Sequence, residues 1–389
     1  MGLFDRFRQK HQTVSRVELV SDRGHGFYAW NGKIYQSDIV RAAIRPKVKA
    51  VGKLIGKHIR ETMRSGQRNI KVNPEDYIRF LLEEPNPYMT GQMLQEKMAT
   101  QLCLNNNAFA LILRDENGLP VEILPINATS AEALLNPNGE LFLRFMLRNG
   151  KRYVFRYADI IHLRSDFNED DFFGDPLAPA LAPLMEIVNT TDQGIVSAIK
   201  NSAVIRWLLK FTTSTRPEDI KKAATDFAES FMDAKNGTGV AGVDSKAEAI
   251  QVHPDDFVPN AAQMDRTQQR IFQLFNTNPK IVDSSRSEEE WGAYADTEVA
   301  PVVKQLNDEY TRKLFTRKER KAGNRIVFES NAWDCTSTKT KLALVSMVDR
   351  GALTPNEWRA TFNLAPVDVG DEPIRRLDTK PTSEGGETT

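Results

Sequence analysis

Cysteine is scarce: Cys103 and Cys335 are the only two in 389 residues and lie far apart. That spacing offers no disulfide framework and fits a reducing compartment. Long apolar runs are missing too, with no stretch near the ~20 residues a membrane span needs. The opening, MGLFDRFRQK, lacks the apolar core of a signal peptide, and Arg6 stands where an N-myristoylation pattern needs Ser or Thr. A soluble intracellular protein without membrane association is expected. Net charge is missing as well, since 52 Lys and Arg balance 52 Asp and Glu. The total therefore does not announce a nucleic-acid binder.

Catalytic patterns are equally sparse. His11, His25, His58, His162 and His253 never come closer than fourteen residues and form no zinc spacing. There is no G-x-S-x-G and no H-E-x-x-H, so no nucleophile and base can be paired. Three partial patterns fail on inspection. GKLIGKH, Gly52 to His58, sets its glycines four apart where a phosphate loop sets them five apart, and His58 replaces the Ser or Thr that would hold magnesium. Ser197 and Lys200 form an S-x-x-K without its companion elements and suit a helix surface. Asp166, Asn168, Asp170 and Asp171 open like a calcium loop, but its sixth and twelfth places hold Asp171 and Leu177 instead of Gly and Glu. An acidic surface loop is the better account. No cofactor and no metal are expected.

What is present is an uneven charge distribution and a clear order of elements. Residues 1–71 carry sixteen Lys and Arg against five Asp and Glu. Such a basic arm suits phosphate or acidic lipid, and equally a solvated face balanced by acidic neighbours in an assembly. Ser37 to Arg64 reads as helical, with Pro46 bending or interrupting it. Tyr77 to Leu82 is a short amphipathic piece stopped by Pro85, Asn86 and Pro87, and Thr90 caps a helix from Met93 to Leu104. Between 108 and 164, AFALIL, VEILPI, LFLRFML, KRYVFRY and DIIHLR read as five strands, with turns at Asn117-Gly118 and Asn149-Gly150. His162 in the last of them is expected to be a satisfied core residue. A mostly antiparallel sheet with helices on one side, an α+β unit, is predicted.

Two long helices follow, Leu184 to Ala203 and 260–277, around a strand–helix–strand insert: IRWLLKF, a helix from Pro217 to Ala234, the turn NGTGVAG and an extended run to Val258. In the second helix Met264, Ile271 and Phe275 form one apolar stripe on a polar rod. Asn278-Pro279 is expected to end it. Lys280 to Ser287 shows no period, and helical spacing returns at Val299. A charged loop held between helices is placed to touch a partner rather than fill a core. RIVFES reads as a strand, Thr338 to Arg350 and Pro355 to Asn363 as short helices with Gly351 between them, and the tail from Pro366 as polar and flexible, disordered from about Thr379.

The stretches LLEEPNPYMTGQMLQEKM, NNNAFALILRDENGLPVEILPI, ADIIHLRSDFNEDDFFGDPLAPAL and GALTPNEWRATFNLAPVDVGD, in this order, resemble the tailed-bacteriophage portal proteins of siphophages and prophages. The resemblance covers most of the chain. It departs at NTNPKIVDSSRSEEEWGAY, where the family usually has a Val-Pro-Pro pair and a Tyr-Ser-Asn. It implies a homo-oligomeric ring, usually a dodecamer, at one capsid vertex of the virion. Double-stranded DNA would pass through it, and the terminase large subunit, the major capsid protein and a head–tail adaptor or neck protein would be its partners. It further implies a basic arm (1–36), a wing (37–183 and 298–335), stem helices (184–204 and 260–279), a clip (205–259), a tunnel loop (280–297), a crown (336–366) and a flexible tail (367–389). Lys280, Ser284, Ser285 and Arg286 would face DNA, and Arg216, Glu218, Lys221 and Lys222 of the clip would meet the motor or adaptor. Two other classes stand beside it: a metal-dependent nucleic-acid-modifying enzyme using the 166–171 loop, and a monomeric nucleic-acid-binding adaptor.

Overall fold

A computed structural model describes residues 18–22, 34–64, 67–168, 170–202, 206–211, 216–231, 247–252, 261–329, 338–362 and 364–374. Most of the basic arm, the NGTGVAG turn, His11, His25, His253, Cys335 and the tail beyond 374 fall outside them. The chain divides into two compact units, one of residues 1–179 and 271–389, the other Ala180–Arg270.

In the first unit the strands are β1 (Glu18–Asp22), β2 (Ile55–Arg64), β3 (Gln67–Val72), β4 (Asn107–Arg114), β5 (Pro120–Pro125), β6 (Ala128–Leu135), β7 (Leu141–Leu147), β8 (Arg152–Arg156) and β9 (Ile160–Arg164). The second unit's β10 (Arg206–Phe211) and β11 (Ala247–Val252) come next, and β12 (Asn324–Glu329) closes the set in the first unit. Every described pairing is antiparallel. The single sheet expected over 108–164 is divided: β1-β6-β7-β8 form one sheet and β5-β4-β9 another, while β12-β2-β3 form a third. A core of Phe109, Leu111, Ile126, Ala131, Ala133, Leu143, Phe145, Ile160 and Phe173 is drawn from the first two of these sheets and the loop after β9.

Four strands, β1, β2, β3 and β6, were hidden from a reading by composition and spacing. β6, ATSAEALL, carries small residues of low strand propensity, but Ala131 and Ala133 stand opposite Phe145 and Leu143, so small side chains make room for large ones across the ladder. The expected helix over 37–64 stops at Gly52, the end of α1 (Asp38–Gly52). α1 buries Val40, Ala43, Ile44, Val48 and Val51 on one face, and Pro46 lies inside it. From Ile55 the chain pairs with both β12 and β3. Val51, Ile55 and Ile59 match a helical stripe by spacing alone, and strand pairing on two sides overrides it.

The helices α2 (Asp76–Glu83) and α3 (Gly91–Asn105) fall close to expectation, with the Thr90 hydroxyl accepting from Met93 N–H. α4 (Ala178–Ser202) begins earlier than expected and contains Pro183. In the second unit β10 and β11 pair with α5 (Pro217–Phe231) between them in sequence. α6 (Ala261–Leu274) leads back to the first unit, followed by α7 (Pro279–Val282), α8 (Glu288–Tyr294), α9 (Ala300–Leu314) and α10 (Arg317–Lys321). α11 (Thr338–Ala343), α12 (Val345–Asp349) and α13 (Pro355–Thr361) end the chain. Asn356 accepts from Val367 N–H at 2.8 Å and donates to Asp371, so the tail stays laced to α13 through that point.

Candidate nucleic-acid interface

The loop between α6 and α9 is built from two successive helix ends. α6 closes at Leu274, not at Asn278-Pro279: Asn276 takes a left-handed conformation (φ 50°), and Thr277 N–H donates back to Phe272 carbonyl at 2.9 Å. Asn278-Pro279 instead opens α7. The Asn278 side chain accepts from Ile281 N–H at 3.1 Å, and Pro279 stands at the first helical position, where no N–H is needed. The expected aperiodic stretch therefore holds one helical turn, anchored by Ile281, which is 1% exposed. That turn ends at Ser284, itself left-handed (φ 60°), with Ser285 N–H donating to Lys280 carbonyl at 3.0 Å.

Ser287 then opens α8 with a capping box. Glu290 N–H donates to Ser287 Oγ at 3.1 Å, and Ser287 N–H donates to Glu290 Oε2 at 2.9 Å. The S-x-x-E spacing was visible in the sequence, and it starts the helix eleven residues before Val299. α8 continues through a π turn at Ala295–Val299 into α9. Pro301 brings no N–H to the Thr297 carbonyl, and Ala300 N–H reaches five residues back, to Ala295. Glu298 ties the turn to α1 through Lys47 at 2.9 Å.

The four residues expected to face DNA lie on this short segment, and Lys280, Ser284 and Ser285 are exposed. Both cations are engaged within the loop. Lys280 forms an ion pair with Glu290, whose carboxyl is held below its ordinary range first by that lysine and then by the Ser287 N–H. The Arg286 guanidinium sits 4.1 Å from the centre of the Trp291 ring. Trp291 had no expected role. Arg216, Glu218, Lys221 and Lys222 all stand exposed at the start of α5 in the other unit.

The competing acidic loop is organised differently. Asp170 accepts from Phe172 and Phe173 N–H at 2.6 and 3.0 Å, and Asp175 accepts from Asn168 N–H at 3.0 Å. These carboxylates hold the loop's own backbone, and among the described residues no three His, Cys, Asp or Glu are grouped to take a metal. His162 is buried against Phe109 at 4.5 Å with Nε2 3.0 Å from Asn107 Oδ1. Burial first, then the Arg164, Lys313 and Arg312 charges, holds it well below the ordinary histidine value.

The motifs of NNNAFALILR and FFGDPL meet at Asn107. Its Oδ1 accepts from Gly174 N–H at 2.9 Å, and its amide donates to Asn105 and Gly174 carbonyls at 3.0 Å each. Neighbouring Asn106 donates to Asp175 carbonyl at 2.9 Å. In EEPNPY, Asn86 donates to Ile123 carbonyl at 2.8 Å while Ile123 N–H donates to Pro85 carbonyl at 2.7 Å, covering the outer edge of β5.

These motifs stitch the framework of the fold, and the class to which the fold and framework belong is that of a structural subunit. The chain belongs to the phage portal protein family, whose sequence model matches residues 38–363. It is 23% identical over 323 residues to the portal protein of Enterobacteria phage HK97, covering 79% of this chain and 74% of that one. The fold is that of a chain in the neck of an empty gene transfer agent particle, with TM-score 0.67, 13% identity and coverage of 91% and 97%. It also matches a portal protein of the HK97 family from Corynebacterium diphtheriae, with TM-score 0.53, 12% identity and coverage of 81% and 99%. The family is structural.

Proposed function

We propose that twelve copies of this chain form a ring at one capsid vertex, through which double-stranded DNA is packaged and ejected without chemistry by the ring itself. One observation carries this: the long helices keep apolar side chains in the open. Ile187 and Val196 on α4 are 45% and 48% exposed, and Met264 on α6 is 39% exposed. A helix with one narrow apolar stripe gains its burial from identical neighbours about an axis. The neck of a native gene transfer agent particle, similar in fold to this chain, was computed with C12 symmetry, which supports the number.

The 278–291 loop is the part of the ring that meets DNA. A conduit must let the duplex slide, and each phosphate neutralised adds salt-dependent affinity. Lys280 and Arg286, answered by Glu290 and Trp291, offer a weakly attractive surface. Arg216, Glu218, Lys221 and Lys222 make the docking edge for the terminase large subunit and later the neck adaptor, and the capsid protein surrounds the wing. Particle images of the purified chain test the core of this: rings with a central hole are expected, and a monomer in solution overturns it. Lys280→Ala with Arg286→Ala tests the loop; unchanged DNA packaging and retention would remove its role.

A further inference from the structure

The sequence holds five Asn-Gly pairs, and three of them, beginning at 117, 138 and 149, lie among the described residues. They close the β4–β5, β6–β7 and β7–β8 hairpins with one backbone pattern. In each, the glycine N–H donates to the carbonyl three residues back: Gly118 to Asp115 at 3.1 Å, Gly139 to Asn136 and Gly150 to Leu147 at 2.9 Å. Each glycine is left-handed, at φ 82°, 77° and 75°, and each asparagine is exposed. The side chains differ. Asn149 Oδ1 accepts from Lys151 N–H, two residues on, at 3.0 Å, which folds the amide back over the Gly150 nitrogen. At Asn117 the corresponding donor, Leu119 N–H, goes to Asp115 Oδ1 at 2.7 Å instead, and among the described residues no such bond holds Asn138. The flanking charges differ too. Arg148, Lys151 and Arg152 surround Asn149. Asp115 and Glu116 precede Asn117, where Arg114 is already paired with Asp159 at 2.8 Å, and Glu140, paired with Arg156, follows Asn138.

We propose that Asn149 is a deamidation site, selected over Asn117 and Asn138 by its bond to Lys151 N–H and by its cationic flank. The Gly150 nitrogen, once its N–H leaves the Leu147 carbonyl and gives up its proton, attacks Asn149 Cγ. The bond from Cγ to the amide nitrogen breaks, that nitrogen leaves as ammonia, and a succinimide ring closes. Water then adds to either ring carbonyl and leaves aspartate or isoaspartate, so the net change is water in and ammonia out. Release from the turn carbonyl is required at all three hairpins and does not discriminate between them. Two features do. Lys151 N–H already points at the Oδ1 on which negative charge develops during the attack. Nearby cations favour the deprotonated Gly150 nitrogen, whereas the acids beside Asn117 oppose its counterpart. The product also has a place: Lys97 and Arg148 line, with Asn149, a groove of about 320 Å³, so the new carboxylate meets cations.

Peptide mapping by tandem mass spectrometry of the full chain, incubated folded at mildly alkaline pH, tests this site by site. Asn149 is expected to convert about fivefold faster than Asn117 or Asn138, the equivalent of one ordinary hydrogen bond. Isoaspartyl methyltransferase labelling of the same peptide reads the isoaspartate share. R148Q/K151Q, which keeps the backbone donor, is expected to slow Asn149 about twofold at low salt and less at high salt. In denaturant the Lys151 N–H bond is lost, and the lead of Asn149 is expected to shrink to the part that charge supplies. Conversion at Asn149 no faster than at the other two overturns the proposal. So does an undiminished lead in denaturant, or a rate that R148Q/K151Q leaves unchanged at low salt. Ring formation is read separately and does not depend on the outcome.

Discussion

The Asn107 network and the 278–291 loop handle polar groups in opposite ways. Around Asn107 the polar atoms are buried, and one side chain serves three backbone groups and a histidine at 2.9–3.0 Å. In the loop they are exposed, and cation partners come from a few residues away: Glu290 for Lys280, Trp291 for Arg286. Burial makes every lost partner costly, whereas exposure lets water replace it. The first region therefore fixes geometry, and the second, on the proposed function, would set how much attraction a passing duplex meets.

The comparison breaks most sharply at Gly174. A Cβ there would lie 2.3 Å from Ser165 carbonyl and 2.4 Å from Asn106 carbonyl, and neither backbone can give way. Gly174→Ala is expected to cost ~3 kcal/mol or more, or to abolish folding. Asn107→Ala, which strands the Gly174 N–H and two carbonyls, is expected to cost about 3 kcal/mol. Chemical denaturation followed by tertiary fluorescence reads both. A loss below ~1 kcal/mol for Asn107→Ala would mean that water enters this site and that its burial is not what holds it.

Lys313 lies between the two extremes: it is buried on α9, but its ammonium is 3.6 Å from the centre of the Tyr157 ring and donates to Tyr157 carbonyl. Burial, opposed by Glu309 and Asp159 and reinforced by Arg312, lowers its pKa from 10.5 to about 8. The folded value is the depressed one, so the unfolded chain holds the proton more tightly. Stability from this group is complete above pH 10.5 and is lost as pH falls through 8. Up to ~3 kcal/mol is at stake at 1.4 kcal/mol per unit. A wild-type stability curve that rises from pH 8 toward 9.5, and flattens in Lys313→Met, is the expected outcome. Parallel curves would place the ammonium in water.

His162 gives a smaller effect in the acid range. Its folded pKa is also depressed, so its contribution is complete above 6.5 and is lost as pH falls. By pH 5.5 the loss is at most ~1.4 kcal/mol. His162→Gln keeps a hydrogen-bonding group and cannot titrate, and should flatten that limb in a pH-dependent melt. Unaltered acid sensitivity would assign it to other groups.

Local signals were legible in the sequence and long-range ones were not. Thr90 and Thr354 cap helices through spacings confined to one turn, the Ser287 capping box went unread although its S-x-x-E spacing is as local, and Asn149-Gly150 closes its hairpin with Gly150 at φ 75°. β2 and β6 were missed because partners far along the chain, β12 and β1, complete their ladders, whereas β3 pairs with neighbouring β2 and was masked by its polar composition. Asn278-Pro279 was misassigned because the same dipeptide can stop one helix or start the next, and only the left-handed Asn276 decides between them. In the site, the four loop residues were placed on one segment, but the pairing of Arg286 with Trp291 depends on a turn at Ser284 that no periodicity announces.

The smallest expected effect sharpens the contrast most directly, because it leaves the fold alone. Glu290→Gln removes the carboxylate that holds Lys280 and keeps an acceptor for Ser287 N–H, so α8 retains its cap. The thermal midpoint should stay within error. Lys280 is then free to meet a phosphate, and the salt slope of duplex binding should steepen by about 0.9, one contact per subunit. The same substitution in a Lys280→Ala background should change nothing, since no cation remains to be released. If Glu290→Gln alone leaves the slope unaltered, the ion pair does not restrain the loop's grip on DNA, and the low attraction must come instead from where the loop stands relative to the duplex.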